Sequence, residues 1–351
     1  MISKIFDISF LIFDLRTKFS QITLFLIQTT FLFSQDIHFS QYNGSLLNLN
    51  PANTGLFDGN YRIHGIYRSQ WASVPVPYRS VSFAADARFK TKKMARNCFG
   101  AGIVFNNDGS ATTNYNTNQV YLSGSYIHVL NKDSTLLWST GLTAGISNNS
   151  FNYNKMTFDN QYQNSTYNST NNTGENFSNT ATTLADVNLG MMFQYTLKQR
   201  AIVQYGISYH HINSPKISFQ NNSNIKIDSK LNNYLAFQYP IAPKIDILVE
   251  ALYSHQGKYN EIVSGTQFKF LLEQKNNQAI SVGAYYRAKD AMIARVGYQF
   301  KTLTAGAAYD VNTNKFKAAT NSKGAIEFYF IYIFKKTKPF VPKTRVCPIY
   351  M

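Results

Sequence analysis

The sequence predicts an all-β protein, a transmembrane antiparallel β-barrel of about 14 strands with an N-terminal plug segment. Three observations support this prediction. From Asn60 onward, segments of about ten residues alternate between apolar and polar side chains and are separated by turns. The composition favours β-structure with polar loops, because 15% of the residues are aromatic and only 15% are charged. The connections between the segments also alternate between short and long, as they do in membrane barrels.

The composition excludes several other classes of protein. The chain of 351 residues contains 34 Lys and Arg against 18 Asp and Glu, which gives a formal net charge of +16. Its mean hydropathy is −0.25, and it has no apolar run of about 18 residues, so a polytopic helical membrane protein is excluded. The positive charge comes without a basic helix or an RNA-binding motif, so no nucleic acid partner is expected.

An apolar stretch at residues 22–33 precedes the first predicted strand. It is too short to span a bilayer, and it lies between Lys18 and Ser34. This pattern is typical of a secretory signal peptide, so residues 1–34 are predicted to be removed. The alternative is a buried strand or helix of a cytosolic protein. Residues 1–17 are longer than an ordinary n-region, which leaves the true start codon open.

Residues 35–58 are predicted to form a plug or a periplasmic segment ahead of a barrel that spans residues 59–335. The segment contains Phe39, Tyr42 and several leucines, which favour packing inside the barrel. Asn50 and Pro51 are expected to end a short turn or helix, since the residue before a proline avoids the helical region. The alternative is a disordered periplasmic leader, but the leucines and aromatic residues count against it.

The predicted strands place apolar side chains on one face and polar side chains on the other. In residues 326–334, for example, apolar side chains alternate around Glu327, and in residues 292–300 they alternate around Arg295. The segments are longer than the five or six residues that are usual in a soluble sandwich, and they match the length that a tilted strand needs to cross a bilayer. The predicted strands are 60–71, 78–89, 98–107, 118–130, 135–147, 184–197, 201–212, 231–239, 244–255, 259–272, 278–288, 291–300, 302–311 and 324–334. Tyrosines near strand ends are predicted to form interfacial girdles, namely Tyr61, Tyr195, Tyr209, Tyr239 and Tyr259.

The connection lengths predict which loops face outward. With a periplasmic N-terminus, the turns after even-numbered predicted strands should be short and the others long. The long connections are 107–117, 148–183, 213–230 and 312–323, whereas the turns at 256–258 and 289–290 are exceptions. Residues 148–180 are rich in Asn, Ser, Thr and Tyr, which predicts a surface loop without a core of its own.

The C-terminal residues 336–351 are predicted to form a basic periplasmic tail. A partner-binding surface and an ordinary solvated charge run are both compatible with this composition. The candidates for partner contacts are Lys335, Lys336, Lys338, Lys343 and Arg345.

No catalytic, cofactor or metal site is predicted. The sequence has no nucleophile elbow, phosphate-binding loop or zinc-binding helix motif. His210 and His211 are adjacent, and on a strand they would point to opposite faces and could not share a metal. Two cysteines, Cys98 and Cys347, are too few for a disulfide scaffold, and their pairing is left open.

Several short motifs resemble a known family. The chain reads QDIHFSQY at 35–42, LNPANTG at 49–55, YR at 61–62 and YRSQWASVP at 67–75. This series closely resembles the start of the PorP/SprF family of the Bacteroidota type IX secretion system, whose members typically read QDPHFSQ, LNPAxxG and YRxQW. Residues 324–327 and 345–348 resemble the family's last strand and short tail. Ile37 replaces the usual proline, and Val346 separates Arg345 from Cys347. The motif and plug candidates are His38, Phe39, Ser40, Gln41, Asn50, Pro51, Gly55, Arg68, Gln70 and Trp71.

The resemblance implies an outer-membrane barrel, related to gliding motility in part of the family. Such a barrel would support secretion or surface anchoring of a client protein that carries a C-terminal sorting domain, such as an adhesin. The implied partners are this client, periplasmic type IX secretion components and outer-membrane lipids. The identity of the client, and the choice between core secretion and dedicated adhesin anchoring, are left open.

The alternative function is an outer-membrane porin or small-ligand channel. Arg62, Arg68, Arg88 and Arg295 would line its lumen, and a ring of arginines would favour anions. Whether the lumen is open or plugged decides between the two functions.

Overall fold

The computed structural model describes residues 36–71, 77–90, 97–110, 115–163, 166–219, 225–273, 276–314 and 317–335. The predicted signal peptide lies outside these residues. The same holds for Cys347 and for every tail candidate except Lys335. Residues from Ile37 onward belong to one structural unit, which contains all the elements given below.

Fourteen long strands form a closed antiparallel barrel, which confirms the predicted strand number. Each strand pairs with its neighbours along the chain, and β1 closes the barrel against β16, from Tyr61 opposite Phe334 to Gln70 opposite Ala325. The strands are β1 Tyr61–Gln70, β2 Tyr78–Phe89, β3 Cys98–Ser110, β4 Asn116–Val129, β5 Leu136–Ser150, β8 Ala181–Lys198, β9 Ala201–His210, β10 Lys230–Ala242, β11 Ile245–Gln256, β12 Tyr259–Glu273, β13 Gln278–Arg287, β14 Ala291–Phe300, β15 Leu303–Asn312 and β16 Lys323–Phe334, with a small separate hairpin of β6 Tyr162–Gln163 and β7 Thr166–Tyr167.

In the part of the chain that the structure describes, helical structure is limited to single turns. Three turns precede β1, at Tyr42–Gly44, Leu46–Leu49 and Pro51–Asn53. Two turns, Tyr153–Lys155 and Asp159–Gln161, lie between β5 and β6, and Lys317–Thr320 lies between β15 and β16. None of the helices in the described residues is long and apolar enough to span a membrane.

The strands expose an apolar outer surface and bury their polar side chains inside the barrel. In β14, Met292 and Val296 are exposed whereas Arg295 is 2% exposed. The last strand repeats the pattern, with Phe328 exposed and Glu327 fully buried. The pleat of a strand produces this separation, because successive side chains point to opposite faces. Of the five predicted girdle tyrosines, four are exposed, and the fifth, Tyr239, is half-buried with the Lys198 ammonium over its ring.

Short connections lie at one end of the barrel and the long ones at the other, as the alternation of short and long connections along the sequence predicts. We call one end of the barrel the terminal rim. It carries Asn60, Lys335 and the short turns 130–135, 199–200, 243–244 and 301–302. The opposite end carries the connections 151–180, 211–229 and 313–322, together with the two short exceptions, and we call it the loop rim. Both chain ends of the barrel therefore lie on the side of the short turns.

The longest loop differs from its prediction, because it has a small core. The rings of Phe151 and Phe177 meet edge-on with centroids 5.0 Å apart, and Phe219 from the neighbouring loop packs against Phe151 at 4.9 Å. Tyr153 and Phe158 extend this cluster. The prediction failed because the rings are widely spaced in an Asn-rich sequence and one of them comes from another loop.

The two adjacent histidines also differ from their prediction. His210 is the last residue of β9, and His211 follows it with a φ of 57°. The change of backbone conformation turns the second side chain inward, so that both rings are buried rather than on opposite faces. His211 Nδ1 lies 2.9 Å from an Asp186 carboxylate oxygen, and His210 Nε2 lies 3.0 Å from the Ser208 hydroxyl. Among the described residues, no group of His, Cys, Asp or Glu side chains is arranged to hold a metal ion.

Candidate functional site

The chain that precedes β1 is bonded to the inward-facing side chains and main chain of many strands. We call residues 37–57 the N-terminal segment. It starts near the loop rim, where Ile37 and His38 line a small cavity with Lys230 and Glu261. It ends at the terminal rim, where the Asn60 N–H donates to the Phe334 carbonyl oxygen at 2.9 Å. Most of its side chains are buried, although it contains no Lys, Arg, Asp or Glu. The charges that hold it must therefore come from the strands.

The local conformation of the segment follows from its Asn-Pro pair. The one-turn helix Leu46–Leu49 ends at Asn50, which is extended with φ −159° and ψ 122°, as expected for a residue before a proline. The Asn50 side chain then caps the next turn by accepting from the Ala52 N–H at 2.9 Å. Its amide nitrogen donates to the carbonyl oxygens of Met191 and Ile207, at 2.8 and 3.1 Å. Asn50 therefore joins the segment to β8 and β9.

Near the loop rim, a buried cluster of charges holds the main chain of the segment. The Glu327 carboxylate accepts from the N–H groups of Ser40 and Gln41, at 2.6 and 2.8 Å. Arg68 lies directly opposite Glu327 in the β1–β16 register and forms an ion pair with it. We call this group, which also includes Asp310 and Arg287, the loop-side clamp.

The Ser40 hydroxyl is the centre of the loop-side clamp. It donates to Asp310 at 2.6 Å and accepts from Arg68 at 2.7 Å. Arg287 also donates to this hydroxyl and pairs with Asp310 at 3.2 Å. Ser40, Arg68, Asp310 and Glu327 are all 1% exposed or less. Buried charges need partners of opposite sign, and the clamp supplies them within one set of contacts.

Arg295 adds a third cationic contact from β14. Its guanidinium donates to the Ser40 carbonyl oxygen, and its Nη1 lies 3.3 Å from Glu250. The guanidinium carbon also lies 3.5 Å from the centre of the Tyr285 ring and 5.0 Å from that of Tyr42. Both contacts are cation–π interactions, which are strongest where water is excluded.

A second clamp lies towards the terminal rim, and we call the pair Arg62 and Asp86 the terminal-side clamp. The two residues are directly opposite in the β1–β2 register, and their ion pair is 2.7 Å long. Arg62 also donates to the Asn53 carbonyl oxygen at 2.9 Å, and Asp86 accepts from the Gly55 N–H at 2.7 Å. β1 therefore provides one arginine to each end of the segment that precedes it.

On the other side of the barrel, glycines let the segment approach the strands closely. A Cβ atom on Gly141 would lie 2.4 Å from the Pro51 carbonyl carbon, and one on Gly190 would lie 2.0 Å from the Asn50 side-chain oxygen. A Cβ on Gly100 would lie 2.3 Å from the Thr54 carbonyl oxygen. These distances are shorter than van der Waals contact, so only glycine fits at these positions.

His38 is the only imidazole in the segment, and it lies beside charged wall residues. Burial lowers its pKa to about 4, with the Glu261 carboxylate opposing the shift and the Arg68 and Arg287 guanidinium groups adding to it. His38 is therefore neutral near pH 7.

Comparison with known families identifies the chain. The model of the type IX secretion system membrane protein PorP/SprF matches residues 31–332, which include the segment, both clamps and nearly all of the barrel. The chain belongs to the PorP/SprF family. It is thus an outer-membrane β-barrel of the type IX secretion system, and its family and fold are not those of an enzyme class. The family implies partnership with secretion components and cargo in general. No curated protein matches the chain.

Several solved structures are similar in shape to this PorP/SprF barrel. The toluene transporter TbuX of Ralstonia pickettii has 11% identity and a TM-score of 0.48, with 83% of this chain and 94% of that chain covered. The translocator domain of the autotransporter NalP from Neisseria meningitidis has 11% identity and a TM-score of 0.44, with 84% and 96% covered. A Pseudomonas aeruginosa FadL homologue has 8% identity and a TM-score of 0.46, with 83% and 94% covered. Similarity at this level carries no argument about function.

The structure brings most of the PorP/SprF motif candidates to the segment and its clamps. Ser40, Gln41, Asn50 and Arg68 make the contacts given above. Phe39 and Pro51 are buried in the segment. Gly55 has a φ of 69° and lies close to Gly100. The Gln70 side-chain oxygen accepts a hydrogen bond from Arg68 at 3.4 Å. Trp71 follows β1, and its main-chain N–H donates to the Gly324 carbonyl oxygen at 2.9 Å. Lys335 lies apart at the terminal rim, 2.6 Å from Asp58.

Sequence reasoning missed Asp86, Arg287 and Asp310, missed the role of Glu327 in the loop-side clamp, and missed Glu250 as the partner of Arg295. A signal for them exists in the sequence. Each is a charged residue on the inward face of a strand whose other face is apolar, and a buried charge inside a barrel requires a partner. Their partners could not be assigned, because Arg68 and Glu327 are 259 positions apart in the chain.

Proposed function

We propose that this barrel supports the secretion or surface anchoring of a client protein that carries a C-terminal sorting domain, such as an adhesin. One observation carries the proposal. The N-terminal segment is bonded to the interior at both ends by arginines of the family motifs, Arg62 and Arg68. A barrel whose interior holds a fixed segment is better suited to binding partners at its rims than to free diffusion. The segment acts as a plug in this proposal.

The two rims serve different partners. The loop rim faces outward, and its longest loops, 148–183 and 213–230, contact the client. The terminal rim faces the periplasm, where the basic tail with Lys335, Lys336, Lys338, Lys343 and Arg345 contacts periplasmic secretion components. The arrangement of short turns at one end and long loops at the other supports this orientation, because outer-membrane barrels have short periplasmic turns. In this proposal, residues 1–34 act as a signal peptide that directs export of the chain and is then removed.

The orientation is tested by single-cysteine labelling in intact cells. The background carries Cys98→Ser and Cys347→Ser, and one cysteine is added at Tyr162 on the loop-rim hairpin or at Lys132 in a terminal-rim turn. A membrane-impermeant maleimide should label Y162C in whole cells and K132C only after the outer membrane is permeabilised. Labelling of K132C in intact cells would reverse the orientation.

The client role is tested by affinity purification of a tagged barrel from native outer membranes after mild cross-linking. The full chain should recover a large sorting-domain protein together with periplasmic secretion components. A variant in which residues 153–179 are replaced by a short Gly-Ser linker should lose the client and keep the periplasmic components. Its matched control, deletion of residues 336–351, should show the converse. A full-length barrel that is recovered alone would contradict the proposal.

Conductance of the purified barrel in planar bilayers tests the channel alternative. Among the described residues, Arg62, Arg68 and Arg295 each pair with a carboxylate, and Arg88 donates to the Phe57 carbonyl oxygen at 2.8 Å. Paired arginines offer little net charge to a passing anion. The plugged barrel should therefore be nearly silent. A stable, anion-selective conductance would favour the porin or small-ligand channel.

A further inference from the structure

A cavity of about 680 Å³ opens in the longest loop at the loop rim. Its size falls within the range of about 300–1,000 Å³ that is typical of small-ligand sites. Two arms of the loop form it, one just after β5 and one just before β8. We call it the loop cavity, and its lining residues are Phe151, Asn152, Tyr153, Asn154, Glu175, Asn176, Phe177 and Thr180.

Several contacts hold the two arms of the loop cavity together. The Phe151 N–H donates to the Thr180 carbonyl oxygen at 3.0 Å, and the Phe151 and Phe177 rings meet edge-on. The Tyr153 hydroxyl lies 2.6 Å from that of Thr173. The two arms are thus joined by the aromatic cluster, one main-chain hydrogen bond and one pair of side-chain hydroxyls. Contacts of this kind lower the cost of ordering the loop when a ligand binds.

The polar side chains of the lining are three amides, one carboxylate and the hydroxyls of Tyr153 and Thr180. Asn152 accepts from the Asn154 N–H at 3.1 Å, which uses one of its oxygen lone pairs. Within the described part of the chain, no residue hydrogen-bonds the side chains of Asn154, Asn176 or Glu175. Each amide offers two donors and one accepting oxygen at the same place. Such groups match hydroxyls, which both donate and accept.

The remaining chemistry of the lining excludes other ligand classes. The described lining residues include no Lys or Arg, so a phosphate or an acidic sugar has no counter-charge there. They include no Leu, Ile, Val or Met, so the rings of Phe151, Tyr153 and Phe177 supply the apolar surface of the cavity. Aromatic rings beside amides favour a ligand with apolar C–H faces and many hydroxyls.

We propose that the loop cavity binds a neutral saccharide, with Asn154 and Asn176 bonding its hydroxyls and the aromatic rings contacting its C–H faces. Two sources would present this chemistry at the loop rim: the sugar chain of an outer-membrane polysaccharide, and a glycan attached to a surface protein. The site stands on the geometry of the loop alone. It does not depend on the client role proposed above.

Titration of the full chain in detergent micelles tests this site with two probes. One probe is delipidated polysaccharide from the source outer membrane, and the other is the neutral glycan pool released from its surface proteins. Saturable binding with a Kd of about 1 mM or tighter is expected for at least one probe. Binding of the first probe alone assigns the site to the polysaccharide, and binding of the second alone assigns it to glycoproteins.

The variants N154A and N176A should each weaken this binding about tenfold. The matched control is Q163A, which removes an exposed amide from the β6 hairpin outside the cavity and should leave the affinity unchanged. Folding of each variant is checked by the heat-dependent gel mobility of the barrel. The proposal is overturned by the absence of saturable binding to either probe, by an affinity of N154A and N176A equal to that of the natural chain, or by tighter binding of acidic than of neutral sugars.

Discussion

Two sides of the barrel interior hold the same segment by different physical means. One side, the charged wall, bonds the segment at Ser40 and Gln41. It consists of side chains on β1, β11 and β13–β16, namely Arg68, Glu250, Arg287, Arg295, Asp310 and Glu327. The other side, the glycine wall, contacts the segment at the Asn50-Pro51 turn and at Thr54, and it consists of Gly100, Gly141, Gly190 and Gly206 on β3, β5, β8 and β9. The charged wall depends on partners being present, whereas the glycine wall depends on side chains being absent. The two walls should therefore fail under opposite kinds of substitution.

Removal of the Glu327 carboxylate should have the largest effect on the charged wall. The variant E327A leaves Arg68 without its opposite partner and leaves two N–H groups of the segment unbonded, in a fully buried place. Breaking one partner of a buried pair typically costs about 3–5 kcal/mol. We expect a loss of this size in the free energy of unfolding, measured by guanidinium denaturation in detergent micelles.

The control for E327A is E273A, which removes an exposed carboxylate at the end of β12 and should change little. The double variant R68M/E327L replaces both charges by apolar side chains, so it should be less destabilised than the sum of the two single changes. Equal stability of E327A and the natural chain would show that the loop-side clamp is not formed.

Filling a glycine of the other wall should have the next largest effect. The Gly141→Leu change puts a side chain where the Pro51 main chain lies, and overpacking of this kind costs about 1–3 kcal/mol. The segment should be displaced while the strands stay paired. Chymotrypsin is the suitable probe, because residues 37–57 contain Phe, Tyr and Leu but no Lys or Arg. Cleavage within the segment should become rapid in G141L.

Gly124 provides the matched control for G141L. It lies on β4 with open space around its missing side chain, so Gly124→Leu introduces the same residue without a clash. If both variants are cleaved equally fast, loss of glycine from a strand, and not contact with the segment, explains the result.

The two walls also differ in how far the sequence predicts them. Alternation in β8, β14 and β16 predicts which side chains face inward, because the pleat fixes the faces of a strand locally. The short helix before Pro51 is equally local. The partnership of Arg68 with Glu327 depends on closure of β1 against β16 over the whole length of the chain, so no local pattern encodes it. The glycines of β5 and β8 are visible in the sequence, but their role becomes clear only once Asn50 and Pro51 lie against them.

Loss of the Asn50 side chain should have an intermediate effect, since it removes directional bonds from the glycine wall without adding volume. The variant N50A loses the cap to Ala52 and the amide donor to β8 and β9. A lost cap costs about 1 kcal/mol, and each carbonyl left without its donor adds to this loss. We expect about 1–2 kcal/mol in the same denaturation measurement. N48A, which removes a half-buried Asn bonded to Ser82 and Asn106, is a control for general loss of polar contacts in the segment.

The smallest effect on stability is expected at Lys335, outside both walls. Its ion pair with Asp58 joins two well exposed side chains, and pairs of this kind contribute about 0–1 kcal/mol because water competes for both charges. K335A should therefore unfold like the natural chain. If it nevertheless recovers less of the periplasmic components in the cross-linking experiment, the residue acts at a binding surface. If K335A is instead as unstable as N50A, the tail is part of the folded barrel, and its positive charge should be assigned to structure instead of to a partner.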